Sequence, residues 1–321
     1  MLCRRLIDRG LLFSLVRLLL VVAMVSTGIA VAQDATPAQV APEVELSAPE
    51  LITLTTKDGL QLKATYYGGT KSKQTVPVVV LHDFKSSRNA FVELAKILQA
   101  RGFSVLVPDL RGHGTSKQFV DAGGQGIDAN RMRRDDFGDI INFDMEAVRK
   151  YLVGKNDEGE LNLNSLCLVG SEMGAVMAVN WTAKDWAAEP LATGKQGQDV
   201  KALVLISPDW SFKGVPIGAA LGQPSFRSNA ISLLIMVGQE NAKSKKNADR
   251  LFKTLRRWHP EPQDPEAFGE VSLWLYPMET SLQGVKLLDA YDADLMEFIA
   301  DFFQWRSADL QYEWTRRRTV K

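Results

Sequence analysis

The residues most able to do chemistry lie where strand-like apolar runs end. Gly170-Ser171-Glu172-Met173-Gly174 follows the apolar run 166–169 and opens a stretch with helical spacing. A chain that turns directly from strand into helix strains its apex residue, and small residues on either side let it pass. Gly170 and Gly174 supply them, which puts Glu172 at the apex and Ser171 one position before it. A carboxylate there has two uses. It can act as a nucleophile, which then needs a base to activate water, or it can serve as a polar contact. His82, at the end of another apolar run, is the histidine able to approach Glu172. It would do so as a proton-transfer couple or a binding contact, and the expected role is to tie neighbouring loops together by hydrogen bonds. Asp83, beside His82, and Asp209-Trp210, after a later run, complete the polar set at that edge.

These residues need a scaffold that brings strand ends together. Residues 51–56 and 60–67 alternate in hydrophobicity around Asp58-Gly59, a hairpin turn signal. Beyond them the period changes to strand, helix, strand. The run 76–81 is rich in valine, as expected of a strand buried on both faces. Pro77 is admissible because it falls at the strand start. Further strands are expected at 103–107, 166–169, 202–206, 233–237 and 271–276. Helices are expected around Phe91, Leu94, Ala95 and Leu98, and around Ile141, Met145, Val148 and Leu152. Others fall near 173–183 and 244–257, with a last one over 292–305 that buries Leu295, Phe298, Ile299 and Phe302. Such alternation requires right-handed crossovers and a mainly parallel sheet with helices on both faces. The stretch 207–230 is too short for a full helical lid, and 117–136 and 183–200 read as surface loops.

The arrangement resembles the α/β-hydrolase fold over residues of about 50–305. Leu81-His82-Asp83 stands where that family often has His-Gly and an oxyanion-hole loop. Asp109-Leu110-Arg111-Gly112-His113-Gly114-Thr115-Ser116 is similar to its D-x-R-G-H-G-x-S turn, and Gly170–Gly174 to its nucleophile elbow. The branch it most resembles is that of serine aminopeptidases and monoacylglycerol lipases. The resemblance implies an eight-stranded, mainly parallel sheet, a minimal lid and a Ser, acid and His triad. The triad positions are substituted. Glu172 holds the apex where the family has Ser, and the Ser171 hydroxyl is expected to point away from the oxyanion site. Gly238-Gln239-Glu240-Asn241 matches the family's Gly-x-x-Asp with an amide, Asn241, for the acid. Pro277-Met278-Glu279-Thr280-Ser281 has no His, with Thr280 at the triad-equivalent position. Of the three histidines, His82, His113 and His259, none lies beyond 259. His259 is expected at the amino-terminal edge of the sheet, opposite the edge where ligands bind. A serine hydroxyl without a general base is a weak nucleophile at neutral pH.

Composition excludes little else. The chain has 321 residues, 45% hydrophobic and 24% charged, as in ordinary globular proteins. Its 38 basic and 38 acidic residues balance, which gives no pull toward nucleic acid. Cys3 and Cys167 are too few for a disulfide framework or a zinc site, and no motif implies a cofactor. The start is basic (Arg4, Arg5, Arg9, Arg17), then apolar, then small around Ala30-Val31-Ala32. That pattern is a cleavable signal peptide over 1–32, followed by an Ala/Pro spacer over 33–50. The rival reading is an uncleaved anchor, for which 18–32 is short of a bilayer span. The expected location is therefore periplasmic or extracellular, with no stable membrane span after cleavage.

Weighed against sharper readings, His113 braces its own turn and Cys167 packs within a strand. Asn130–Asp136 reads as a solvated helix start. Trp181, Trp186, Trp258 and Trp274 form no common stacking platform with Trp210, and Arg316, Arg317, Arg318 and Lys321 read as a frayed charged tail. The pocket residues to follow are His82, Asp83, Ser171, Glu172, Met173, Asp209 and Trp210. The function expected is non-catalytic: a pseudo-hydrolase binding a small molecule or a protein at its former active site. The alternatives are an ester or amide hydrolase working through Glu172, and a structural component of the cell envelope.

Overall fold

The computed structural model of the protein describes residues 46–120, 126–189, 194–263 and 270–318. The leader expected over 1–32, with Cys3, and the first part, 33–45, of the spacer expected over 33–50 lie outside them.

Among the described residues ten strands form, eight of them in one sheet of order β1-β2-β4-β3-β5-β6-β9-β10. β1 (Glu50–Thr55) and β2 (Gln61–Tyr67) make the expected antiparallel hairpin. β2 also runs antiparallel to β4 (Ser104–Pro108), and every other pairing within this sheet is parallel. The valine run becomes β3 (Pro77–Leu81), buried along its whole length. β5 (Leu166–Ser171), β6 (Val200–Ile206), β9 (Ser232–Gly238) and β10 (Leu273–Met278) complete the sheet. β7 (Ser211–Phe212) and β8 (Val215–Pro216) form a small hairpin in place of a helical lid.

Side chains alternate across the strands and build two cores. Val79, Leu106, Leu168 and Leu205 face one side, under α3 (Met145–Asp157), α4 (Met173–Ala187) and α5 (Ala242–Leu255). Val78, Val80, Val107 and Val204 face the other, under α1 (Val92–Ala100) and α6 (Val285–Phe303). A short α2 (Arg134–Asp139) leads through a π-helical turn, Ile140–Asp144, into α3. Among the described residues no helix is long and apolar enough to cross a membrane.

Two helix ends and the tail differ from the sequence reading, and α2 begins at Arg134 within the expected loop 117–136. The last helix starts at Val285 rather than 292, because its first turns bury Leu287 and Leu288 against the sheet. α4 continues to Ala187, into a stretch expected to be loop. The charged tail is not frayed. Asn162 and Asn164 donate side-chain amides to the carbonyls of Tyr312 and Glu313, and Arg317 reaches buried Asp199 at 2.5 Å.

Strand order reverses at β3: β4 lies on one side of it and β5 on the other. Ligands of open α/β sheets bind at such a switch point, beyond the carboxyl ends of the strands. Leu81 pairs with Gly170 there, so the loops carrying His82-Asp83 and Ser171-Glu172 leave the sheet side by side.

Candidate functional site

The turn after β5 has the expected elbow geometry. Glu172 takes φ 45°, ψ −104°, a left-handed conformation that strains a residue with a Cβ. A Cβ on Gly170 would come within 2.6 Å of the Ala175 Cα, and one on Gly174 within 2.6 Å of the Leu81 carbonyl carbon. Both glycines are therefore needed for the backbones to meet. The Glu172 N–H donates to the Ile206 carbonyl at 2.9 Å, locking the apex to the end of β6.

What surrounds the apex is carboxylate and main chain. Asp83 is buried and accepts the Val285 N–H at 3.1 Å. Gly284, at φ 60°, lies so near that a Cβ there would be 3.1 Å from the Asp83 carboxyl carbon and 3.3 Å from that of Glu172. The Gly284 N–H in turn donates to the Ser207 hydroxyl at 3.0 Å. Burial pushes the Glu172 carboxyl above the ordinary range, and the charges of Asp83 and Asp209 push it further, against Lys243 and Lys286. Burial also raises Asp83, opposed by the Ser171 side chain and the Val285 N–H. Ser171 is fully buried beside Asp83, yet its Oγ and the Asp83 Oδ1 complete no hydrogen bond.

His82 is fully buried, and both ring nitrogens are committed to backbone. Nδ1–H donates to the Asp83 carbonyl at 2.7 Å, and Nε2 accepts the Leu110 N–H at 3.0 Å. Burial lowers its pKa to about 4, so the ring is neutral and ties the β3 and β4 loops together. It does not pair with Glu172. His113 donates to the Arg111 carbonyl at 2.8 Å within its own turn. Arg111 anchors that turn on Asp144 at 2.6 Å and on Asp58 at 3.0 Å. His259 sits at the opposite edge, bonded to the Ser272 hydroxyl just before β10 and to the Phe226 carbonyl. All three histidines thus hold backbone or turns, although the His113 Nε2 is buried without a hydrogen-bond partner.

The other triad-equivalent residues have local roles. Asn241 caps α5, accepting the Ser244 N–H at 3.1 Å. The Thr280 hydroxyl accepts the Leu282 N–H at 3.2 Å, and its carbonyl accepts from Glu240. Asp209 is held by Asn247 at 2.9 Å and Lys243 at 3.1 Å. The Trp210 ring is stacked by the Arg250 guanidinium, 3.6 Å from its centroid. Met173 is core. Cys167 is buried in β5, where burial pushes its thiol up to about 12. Among the described residues no cluster of His, Cys, Asp or Glu is arranged to hold a metal ion.

The sequence reading missed Gly284, Val285, Ser207 and Gln283. The Gln283 amide donates to the Gly238 carbonyl at 2.8 Å, which joins the loop after β10 to the end of β9. Their only signal was the glycine before the last helix; the contacts themselves join segments far apart in sequence.

Comparison with known proteins follows the same lines. Residues 72–252 match the profile of the family described as serine aminopeptidase, S33. No curated protein sequence matches the chain. Among solved structures, an esterase from Pyrococcus furiosus superposes with a TM-score of 0.57 at 15% identity, covering 81% of this chain and 92% of its own. A dienelactone hydrolase from Anabaena variabilis gives 0.51 at 16%, covering 81% and 99%. A soluble variant of monoglyceride lipase from Saccharomyces cerevisiae, bound to a substrate analog, gives 0.55 at 13%, covering 83% and 97%. At such identities these likenesses speak to fold, and the profile match, running from before β3 through most of α5, speaks to descent. With the elbow between β5 and α4 built as that family builds it, the chain belongs to the serine aminopeptidase, S33, family of α/β hydrolases.

Proposed function

We propose that this protein is a pseudo-hydrolase: its elbow site performs no acyl transfer and binds a ligand at the crevice instead. The observation that carries this reading is the apex itself. Glu172 occupies the nucleophile position, packed toward Gly284 and Asp83. His82 and His259 have both ring nitrogens engaged. His113, which donates through Nδ1 to its own turn, is buried with its Nε2 unpartnered, packed beside His82 and Phe84 rather than at the Glu172 apex. Serine-type acyl transfer needs a hydroxyl activated by a base and an oriented imidazole to protonate the leaving group. Treatment of the purified protein with a serine-directed fluorophosphonate tests the claim. No covalent adduct is expected. An adduct that disappears in Ser171→Ala would show a working nucleophile and overturn it.

A second reading has one observation in its favour. Glu172 and Asp83 are adjacent carboxyls with raised proton affinity, and such a pair can share a proton and serve as acid and base. On that reading the chain hydrolyses small esters, in line with the esterase and the monoglyceride lipase among its structural neighbours. Export is part of the proposal and rests on residues 1–32. Amino-terminal sequencing of protein recovered outside the inner membrane should begin near Gln33. A start at Met1 would contradict cleavage.

A further inference from the structure

At the opposite edge of the sheet, away from the elbow, Lys201 enters β6 with its side chain buried, 9% exposed overall. Its ammonium donates to the Gln198 carbonyl at 2.8 Å and stands 4.7 Å from the Trp186 ring centroid and 5.0 Å from that of Tyr312. Two aromatic faces ease the burial of a cation without neutralising it. Of the two buried acids close by, Asp199 is already engaged by Arg149 at 3.2 Å, Lys195 at 3.2 Å and Arg317 at 2.5 Å. Asp185 accepts the Asp199 and Val200 N–H groups at 2.7 and 3.1 Å. Among the described residues no carboxylate forms an ion pair with Lys201. A buried charge without a counter-ion is costly, and folds pair such charges or use them.

The surroundings point to use. A cavity of about 460 Å³ opens over Lys201, where the docked tail passes the start of β6. Its wall carries Lys195, Arg316, Tyr312, Asn164 and Thr315 as well. Glu313 is the one acid lining it, and that residue is exposed. The volume lies within the range of small-molecule sites. The Asn164 amide is spent on the Glu313 carbonyl and the Thr315 hydroxyl, and Lys195 is paired with Asp199. The Lys201 and Arg316 heads are therefore the cations left to face a ligand, against one solvated carboxylate.

We propose that this cavity binds a small organic anion, whose carboxylate or phosphate group takes the place of the counter-ion Lys201 lacks. The site is independent of the elbow, and the proposal does not rest on how the elbow functions. Burial, and the charge of Lys195 beside it, hold Lys201 down at about 8. Arg317 acts in the same direction, and Asp199 and Asp185 oppose it. Arg316 and Tyr312 also face the cavity. A bound anion reverses the balance: it keeps the ammonium protonated and shields it from electrophiles.

The test measures labelling of Lys201 in the full chain by trinitrobenzenesulfonate near pH 8, read by peptide mapping. It is run with citrate, with inorganic phosphate, and with chloride at matched ionic strength. Citrate or phosphate should slow labelling of Lys201 at least tenfold relative to chloride and raise the melting temperature. Protection by citrate alone assigns a polycarboxylate, and protection by phosphate alone a phosphate ester. Lys201→Met should abolish the anion-dependent rise in melting temperature. Arg316→Ala, at an exposed position that leaves folding intact, should weaken protection severalfold and serves if Lys201→Met does not fold. Equal labelling in all three salts would overturn the proposal, as would full protection retained in Arg316→Ala together with an unchanged thermal response in Lys201→Met.

Discussion

Asp83 accepts a hydrogen bond from the Val285 N–H at 3.1 Å, joining the end of β3 to the first turn of the C-terminal helix. The N-terminus of a helix favours negative charge, so this contact helps to hold a buried carboxylate at the crevice. Glu172 is placed against the same turn, and burial followed by the nearby charge of Asp83 raises its proton affinity. The site thus keeps the strained elbow of a hydrolase but fills its reacting edge with acid and main chain.

Such an arrangement costs stability at neutral pH. Glu172 has a raised folded-state pKa, so its unfavourable contribution is absent in acid and grows as pH rises past the ordinary glutamate value. Glu172→Gln should therefore stabilise the protein at pH 7 by up to about 1 kcal/mol, discounted for partial exposure, and by little at pH 4. Urea unfolding at both pH values checks this. A loss of stability at pH 7 would show that the carboxylate has a favourable partner.

The elbow glycines are structural necessities. Gly174→Ala would set a methyl group 2.6 Å from the Leu81 carbonyl carbon and 2.9 Å from the His82 oxygen, both backbone atoms that cannot yield cheaply. A destabilisation of more than about 3 kcal/mol is expected, or failure to accumulate folded protein. Gly138→Ala, where a Cβ meets nothing within 4 Å, should be neutral or mildly stabilising.

His82 gives the protein a pH dependence. Its folded pKa, about 4, lies below its ordinary 6.5, so the neutral ring's contribution is complete above pH 6.5. It is lost as pH falls toward 4, by about 3 kcal/mol in all. His82→Gln, with no proton to gain, should show a flatter stability curve between pH 7 and 4 and lower stability at pH 7. Parallel curves for the two proteins would mean that the ring is already charged or solvated.

Asn241 is expected to matter as a helix cap and not as a remnant of catalysis. Asn241→Ala should cost about 1 kcal/mol, and Asn241→Asp, which keeps an acceptor for the Ser244 N–H, should cost little. Ester hydrolysis should not appear in Asn241→Asp, since the acid it restores has no histidine to orient.

Much of this was legible in sequence because strand burial leaves a plain trace. Short β-branched runs such as Val78-Val79-Val80, following Pro77, read as buried strand, and Gly170 and Gly174 mark the elbow by their spacing. The start of the last helix was not legible: Asp289 and Tyr291 interrupt its apolar stripe, so its first turns read as loop. Nor were the partners of Asp83 and Glu172. Gly284 and Val285 meet them only because β10 and its loop return to the switch point, a matter of topology that no local pattern encodes. The tail was misread for a related reason: Arg317 looks like one of several solvated charges until Asp199, far away in sequence, is placed beneath it.

The most direct test of the central claim is hydrolysis of short p-nitrophenyl esters by the purified protein alongside Glu172→Ala. The account predicts no turnover above buffer in either. Turnover in the wild type that vanishes in the variant would show that Glu172 is catalytic and contradict it.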